Sequence, residues 1–383
     1  MAHGKVRHHD PAALPDDVEA LYPLAEQQGP QSLLEFQRLF ATEEQCAHYL
    51  HKMRWPEAFV CPRCGSLTGY TLVTRGVTEC GNGHQVSLTA GTGMHRSKLP
   101  LTLWFHGAYL VSTLTPGISA LQFQKQLGIS RYETAFQLLH KLRSALVAPG
   151  REPLHGEVEV DEGFIGGPEE GRRGRGAETK SLVVFGVEII RYAAPDPRNP
   201  ANPQAQVEKM RAGRVRMNVI PDASAETLIP WCALNIEVGS LVITDGWSGY
   251  NDLEKLSYVH QRILQSVKGK KTSAYLPMVH LIVSNLKRWL LGTHKGAVLP
   301  RHLPAYLNEF TFRFNRRFWR GPAFHRALGL IIHAEKWPEY DTLYSVAKGG
   351  AGAWVHPTSP ADATRPKAGE RGDKAVPLPV GGT

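Results

Sequence analysis

Cysteine spacing constrains this chain more than any other feature. Residues 61–65 read Cys-Pro-Arg-Cys-Gly, and Cys80 and His84 follow after a hairpin-length interval. Thiolates and an imidazole in two pairs form the tetrahedral N/S set that Zn²⁺ occupies in structural sites. The second pair departs from the commoner two-residue spacing. Cys61, Cys64 and Cys80 are therefore the firm ligands, His84 completes the set, and His95 is a reserve imidazole. A ribbon this small has too little core to fold without the ion. With five cysteines in 383 residues, a disulfide framework is excluded as the organising principle.

Length favours two or three domains, each with its own core. The formal net charge is +9 and the pI about 9.3, a balance that favours a polyanionic partner. The N-terminal stretch has no apolar core of a signal peptide. The most hydrophobic runs, Leu101–Val111 and Leu182–Ile190, are too short to span a bilayer. A soluble, cytoplasmic, nucleoid-associated protein is expected.

Residues 1–30 read as a disordered lead-in. Two short amphipathic helices follow between Ser32 and Met53, with Thr42 as N-cap of the second, so helices and ribbon together occupy 31–98. A helical block covers 99–150 and ends in the linker Ala148–Pro153. Strand-length apolar runs lie at Glu157–Val160, Leu182–Ile190, Arg214–Ile220 and Leu241–Thr244, and helices at Ser224–Leu234, Pro277–Leu291 and Leu303–Phe318. This alternation predicts an α/β domain over 154–345. The Pro/Asn-rich segment from Ala193 to Gln206 is expected to be a surface loop, and 349–383 a disordered tail.

Within Gly117–Leu146, Gly128 separates two helical patterns, and Ser130 with Glu133 has the form of a capping box. Leu138, Leu139, Leu142 and Leu146 mark one face of the second helix. Arg131, Tyr132, Gln137, His140, Lys141 and Arg143 are left to face outward or onto a nucleic-acid backbone. This is the layout of a helix-turn-helix, with Arg131, Lys141 and Arg143 as DNA contacts. A plain helical hairpin has the same pattern.

Val158-Glu-Val-Asp161-Glu-Gly and Leu241-Val-Ile-Thr-Asp245-Gly share one logic: a buried strand, a carboxylate, a glycine. Two carboxylates at the ends of adjacent buried strands are costly unless a cation neutralises them. Together they suit two-Mg²⁺ phosphoryl transfer. On the helix at 277–291, Asn285 is placed to offer a neutral carbonyl oxygen as a third ligand, as catalytic-loop asparagines do in kinases. Lys287 and Arg288 beside it suit a phosphate backbone. Arg172, Arg173, Arg175 and Lys180 sit in a Gly-rich loop, either a clamp on DNA phosphates or a solvated charged loop. Arg313, Arg316, Arg317 and Arg320 alternate with aromatics on a late helix whose rings are expected to pack in a core.

The stretches RWPEAFVCPRCG, QVSLTAGTGMHRSKLPLTLWF, VEVDEGFIGG, ITDGWSGYNDL, VSNLKRWLLGTHKG and HLPAYLNEFTFRFNRR resemble, in order over residues 30–335, the zinc-ribbon insertion-sequence transposases of the ISXO type. The resemblance implies an α/β RNase-H-like catalytic domain preceded by the zinc ribbon and a helix-turn-helix region. It implies an Asp–Asp–Asn variant of the Asp–Asp–Glu site, carried here by Asp161, Asp245 and Asn285 with Mg²⁺ or Mn²⁺. Lys287 and Lys295 both fit the lysine that follows the Asn. Glu309 is a candidate third carboxylate, with a structural role the favoured alternative. The implied function is a DNA transposase acting on terminal inverted repeats and target DNA as a homo-oligomer. A zinc-ribbon DNA-binding regulator, a metal-dependent nuclease and an inactive relic are the rival readings.

Overall fold

The computed structural model describes residues 29–72, 76–147, 150–166, 180–198, 202, 204–263, 275–296, 298–318, 322–334, 337–338 and 343. The predicted lead-in before residue 29, the tail at 349–383, and Arg172, Arg173, Arg175 and Arg320 lie outside the described residues.

Helices α1 (Leu33–Leu39) and α2 (Glu43–Arg54) open the described chain. Thr42 caps α2 as expected: its hydroxyl accepts from the backbone N–H of Gln45, and the Gln45 side chain returns the bond, satisfying donors that a helix start otherwise leaves open. Strands β1 (Gly69–Leu72), β2 (Val77–Cys80) and β3 (Gln85–Ser87) make a small antiparallel sheet. Its core is little more than Trp55, Phe59 and Val86 packed on Cys61 and Cys80.

Three helices follow: α3 (Leu101–Thr113), α4 (Ala120–Leu127) and α5 (Tyr132–Ala145). Ser119 caps α4 and Gly128 ends it in the left-handed region at φ 64°, the conformation glycine adopts without strain. The expected Ser130–Glu133 capping box does not form. The helix begins one residue later, with Arg131 at the N-cap and no side-chain cap, which leaves the Ser130 hydroxyl one position too far back to serve the first turn.

The outward face predicted for α5 is also corrected. His140, Lys141 and Arg143 are buried because α5 is the central helix of its module. It packs on α3 so closely that a Cβ at Gly107 would stand 2.9 Å from the Leu142 side chain. Lys141 donates to the carbonyl of His95 at 3.3 Å, and Arg143 to the carbonyl of Ile118 at 2.8 Å. Neither is available to a DNA backbone in this arrangement. The exposed part of the motif is the outer face of α4 and the first turn of α5, including Arg131 and Tyr132.

The second module is a five-stranded mixed sheet. Its strands are β4 (Glu157–Gly166), β5 (Lys180–Pro195), β6 (Gln206–Val219), β7 (Leu241–Thr244) and β8 (Val259–Arg262), in the order β6-β5-β4-β7-β8. β4, β5 and β6 pair antiparallel, whereas β7 runs parallel to both β4 and β8. The hairpin of β5 and β6 reaches Pro195 opposite Gln206. The strands thus take Ala193–Pro195 and Gln206 from the expected Pro/Asn-rich loop, because ladder pairing tolerates Pro at a strand end.

Helix α6 (Ala225–Asn235) and a 3-10 segment (Ser248–Leu256) cover one face through Leu228, Trp231 and Tyr250. Helices α7 (Pro277–His294) and α8 (Leu303–Asn315) cover the other through Val279, Ile282, Leu286 and Leu307. Helix α9 (Ala323–Ile332) departs from the predicted 154–345 boundary. Its Phe324, Leu328 and Ile331 share one core with Phe36, Phe40, Phe105 and Leu142. An apolar face finds whichever core is nearest in space, and here that core belongs to the N-terminal helices.

Candidate functional site

β4 and β7 pair in parallel as Glu157↔Leu241, Val158↔Val242 and Glu159↔Ile243. Continuing that register by two residues brings Asp161 level with Asp245. Strand alternation turns the odd-numbered residues of β4 toward α7: Ile165 is in the α7-side core, while Val158 and Val160 are in the opposite one. Asp161 lies on the α7 side. Its carboxylate accepts from the N–H of Glu162 at 2.8 Å, and Asp245 accepts from the N–H of Trp247 at 3.0 Å. Gly246, at φ 85°, makes the turn that ends the β7 strand on this carboxylate. Thr244 anchors the strand end, its hydroxyl 2.9 Å from Nε2 of His260 on β8.

Burial raises the Asp161 carboxyl to about 7, and the nearby charges of Glu162, Asp245 and Glu159 add to the effect. Such a crowd of carboxylates is held most cheaply by a cation. The donor set is all oxygen, which suits a hard ion such as Mg²⁺ or Mn²⁺.

Two acidic residues were not singled out in the sequence. Glu159 is buried and accepts from the N–H groups of Met278 and Val279, both at 2.8 Å. It therefore pins the N-terminus of α7 to the strand that carries Asp161, where a carboxylate also matches the positive end of the helix. Glu162 accepts from the Tyr250 hydroxyl at 2.8 Å on the other face. Glu159 was detectable in principle, since a residue two before Asp161 must share its face.

Asn285 is half-buried on α7, which packs against β4 and β5. Lys287, Arg288 and Lys295 are exposed, and Lys180 at the start of β5 is half-buried. Glu309 is placed elsewhere, which corrects its candidacy as a catalytic ligand. It is fully buried on α8, with one carboxylate oxygen 2.6 Å from Nε of Arg143 and the other 2.9 Å from Nη1 of Arg313. Both oxygens are engaged by guanidinium groups, and none remains to face a metal beside Asp161.

The four predicted zinc ligands converge. The ligand atoms of Cys61, Cys64, Cys80 and His84 all lie within 4.8 Å of one another. Cys64 Sγ is 3.7 Å from Cys80 Sγ, and His84 Nδ1 is 3.6 Å from Cys80 Sγ and 3.9 Å from Cys61 Sγ. Four ligands about 2.0–2.3 Å from one ion in a tetrahedron stand roughly 3.5–3.8 Å apart, so these residues fit Zn²⁺. Two of the sulfurs also accept hydrogen bonds: the Asn82 side chain donates to Cys64 and the backbone N–H of His84 to Cys80, each at 3.4 Å. The backbone N–H of Ser66, followed by Asn82, pulls the Cys64 thiol down to about 6. His95 has another place, accepting from the N–H of Gly91 and packing on Trp337.

Metal analysis should find about one zinc per chain. Stripping it, or Cys61→Ser, should abolish hydrogen-exchange protection across residues 69–87 while the five-stranded sheet stays protected. A zinc-free protein with an intact ribbon would disprove the assignment.

Compared with known families, residues 41–83 match the transposase zinc-ribbon domain, a match that ends one residue before His84. Residues 153–315 match the ISXO2-like transposase domain and include Asp161, Asp245, Asn285 and Glu309. No curated protein matches the chain significantly. Among the described residues, no helix is long and apolar enough to cross a membrane.

Proposed function

We propose, from the premise that the chain belongs to the ISXO2-like zinc-ribbon transposases, that it binds the terminal inverted repeats of a mobile element and moves it by metal-dependent DNA cleavage and strand transfer. The observation that carries this reading is the parallel register of β4 and β7, which, continued by two residues, brings Asp161 in the middle of β4 level with Asp245 just past the end of β7. The strand order β6-β5-β4-β7-β8, three strands antiparallel and two parallel, supports an RNase-H-like catalytic domain.

Asp161 and Asp245, with Asn285, would hold Mg²⁺ or Mn²⁺. Bound there, the metal would polarise the scissile phosphate and lower the pKa of the attacking water or 3′-hydroxyl. The chain itself supplies charge and placement. Two carboxylates on adjacent strands set the spacing, and Glu159 fixes the helix that presents Asn285. Exposed Lys287, Arg288 and Lys295, with Lys180, are candidates to seat phosphates near the cut. Arg131, at the exposed start of α5, is the remaining candidate of the helix-turn-helix for contact with the repeat. Because an element has two ends, a homo-oligomer on DNA is the working assembly. A zinc-ribbon regulator leaves Asp161 and Asp245 without a role, so nothing favours it.

The test is in vitro strand transfer of a labelled element end with Mg²⁺. Asn285→Ala should reduce the rate at least tenfold with DNA binding retained, and Asn285→Asp should recover much of it by restoring an oxygen ligand. Equal activity in Asn285→Ala and the parent would remove Asn285 from the site.

A further inference from the structure

A cavity of about 1100 Å³ lies away from the acidic pair. It lies where the helical module meets the sheet. Arg151 enters it from the linker before β4, Arg214 and Arg216 from β6, Arg316 from the end of α8, and Arg326 from α9. The carboxylates nearby do not balance them. Glu188 is committed to Arg214 at 2.6 Å, and the exposed Glu152 reaches the same arginine at 3.5 Å.

The other four arginines have no ion pair among the described residues. Arg216 is buried, yet among the described residues it donates only to the carbonyls of Val215 and Glu152, at 3.2 and 2.6 Å. Arg316 lies over the Phe312 ring at 4.0 Å and donates to the Phe312 carbonyl. Burial and the neighbouring guanidinium groups push Arg216 and Arg316 each down to about 10, and lower Arg151 as well. An arginine keeps its proton in a protein, so these shifts express first the cost of burying the charges and then repulsion between them that no carboxylate relieves.

We propose that this cavity is a second, phosphate-binding site, in which Arg151, Arg216, Arg316 and Arg326 receive the oxyanions of a DNA backbone. Guanidinium groups present paired donors that match phosphate oxygens. The space exceeds most small-ligand pockets, which span about 300–1,000 Å³, and suits successive phosphates of a strand better than one isolated anion. Because its arginines come from both modules, an occupant would tie the helical core to the sheet. Neither Asp161, Asp245 nor Asn285 lines this cavity, so the inference is independent of the catalytic reading.

The test uses full-length, zinc-loaded protein without Mg²⁺, in a phosphate-free buffer. Binding to a short duplex of arbitrary sequence is followed across a salt series. Each lost phosphate contact flattens log K against log[salt] by about 0.9. Arg326→Gln should flatten it by about 0.9, and Arg151→Gln/Arg326→Gln by about 1.8. The Tm of the free protein should hold or rise in both, because repulsion is relieved. Arg326→Lys should keep most of the binding.

Inorganic phosphate and pyrophosphate form the second arm. If they raise the parent's Tm but not the double variant's while the DNA slope is unchanged, the site takes a free phosphate. If neither the DNA slope nor the response to phosphate changes, the proposal is overturned. A fall in the Tm of Arg326→Gln with unchanged binding would also overturn it. Arg326 is exposed, so that variant decides the matter even if changes at Arg151 disturb folding. Asp161→Asn should leave the slope unaltered, which separates this test from one of catalysis.

Discussion

Asp161→Asn and Asp245→Asn should each abolish strand cleavage and transfer while leaving DNA binding intact. Two carboxylates are the only formal negative charge in the proposed ligand set, since Asn285 is neutral. Removing one halves the charge available to draw divalent ions out of their hydration shells. Metal coordination contributes several kcal/mol to phosphoryl transfer, and a loss of about 4 kcal/mol is about a thousandfold in rate. A labelled-end assay over a Mg²⁺ and Mn²⁺ series would measure this. Activity near the parent's in Asp161→Asn would overturn the catalytic reading.

The same substitution has a second, opposite signature. In the folded metal-free protein the Asp161 carboxyl titrates at about 7, above its ordinary value of 3.8. A carboxyl raised on folding is bound to a proton in the native state where the unfolded chain has lost it. Stability therefore falls as pH rises from about 4 to about 7 and then levels off. Asn cannot ionise. Asp161→Asn should accordingly raise the metal-free Tm at pH 7 and above, and make little difference near pH 4. Unchanged Tm at both pH values would indicate that the carboxylate is not crowded as described.

The second large effect is expected at Glu309. Its carboxylate is fully buried against Arg143 and Arg313. Glu309→Ala would leave Arg143 charged, buried and unpaired, and breaking such a pair on one side costs roughly 3–5 kcal/mol. Thermal denaturation should fall by on the order of 10 °C if each kcal/mol shifts Tm by about 2–4 °C. Arg143→Ala should reproduce the loss. Arg143→Met/Glu309→Leu should be less damaged than the sum of the singles, because it removes both charges together. Strand transfer in Glu309→Gln should persist at temperatures where the variant is folded. A Tm like the parent's combined with abolished activity would return Glu309 to the metal site.

Much of this molecule was legible where the governing contacts are local. The zinc ligands lie within 24 residues of one another, and their order and spacing already specified a ribbon. The α2 cap was readable because Thr42 and Gln45 are one turn apart. Asp161 and Asp245 stood out because each follows an apolar strand-forming run and stands close before a glycine; that β4 continues past Asp161 to Gly166 was not legible. The helix pair α4 and α5 was only partly legible. Gly128 marked the end of α4, but the pattern of α5 could not disclose how many of its faces are covered.

What tertiary structure decided lies in contacts between distant residues. Lys141 and Arg143 read as surface cations, yet Arg143 is closed in by Glu309, 166 positions later. The α9 helix carried an ordinary apolar face, and only its proximity to Phe36 and Phe40 assigned it to the N-terminal core. The arginine cavity gathers side chains from the linker, β6, α8 and α9, none of which signals the others along the chain. Spacing in the sequence determined the metal ribbon, the strands and the carboxylates they carry, because those depend on periodicity and short-range geometry. Charge burial and charge clustering depend on which elements meet in space, and only the tertiary structure settled them.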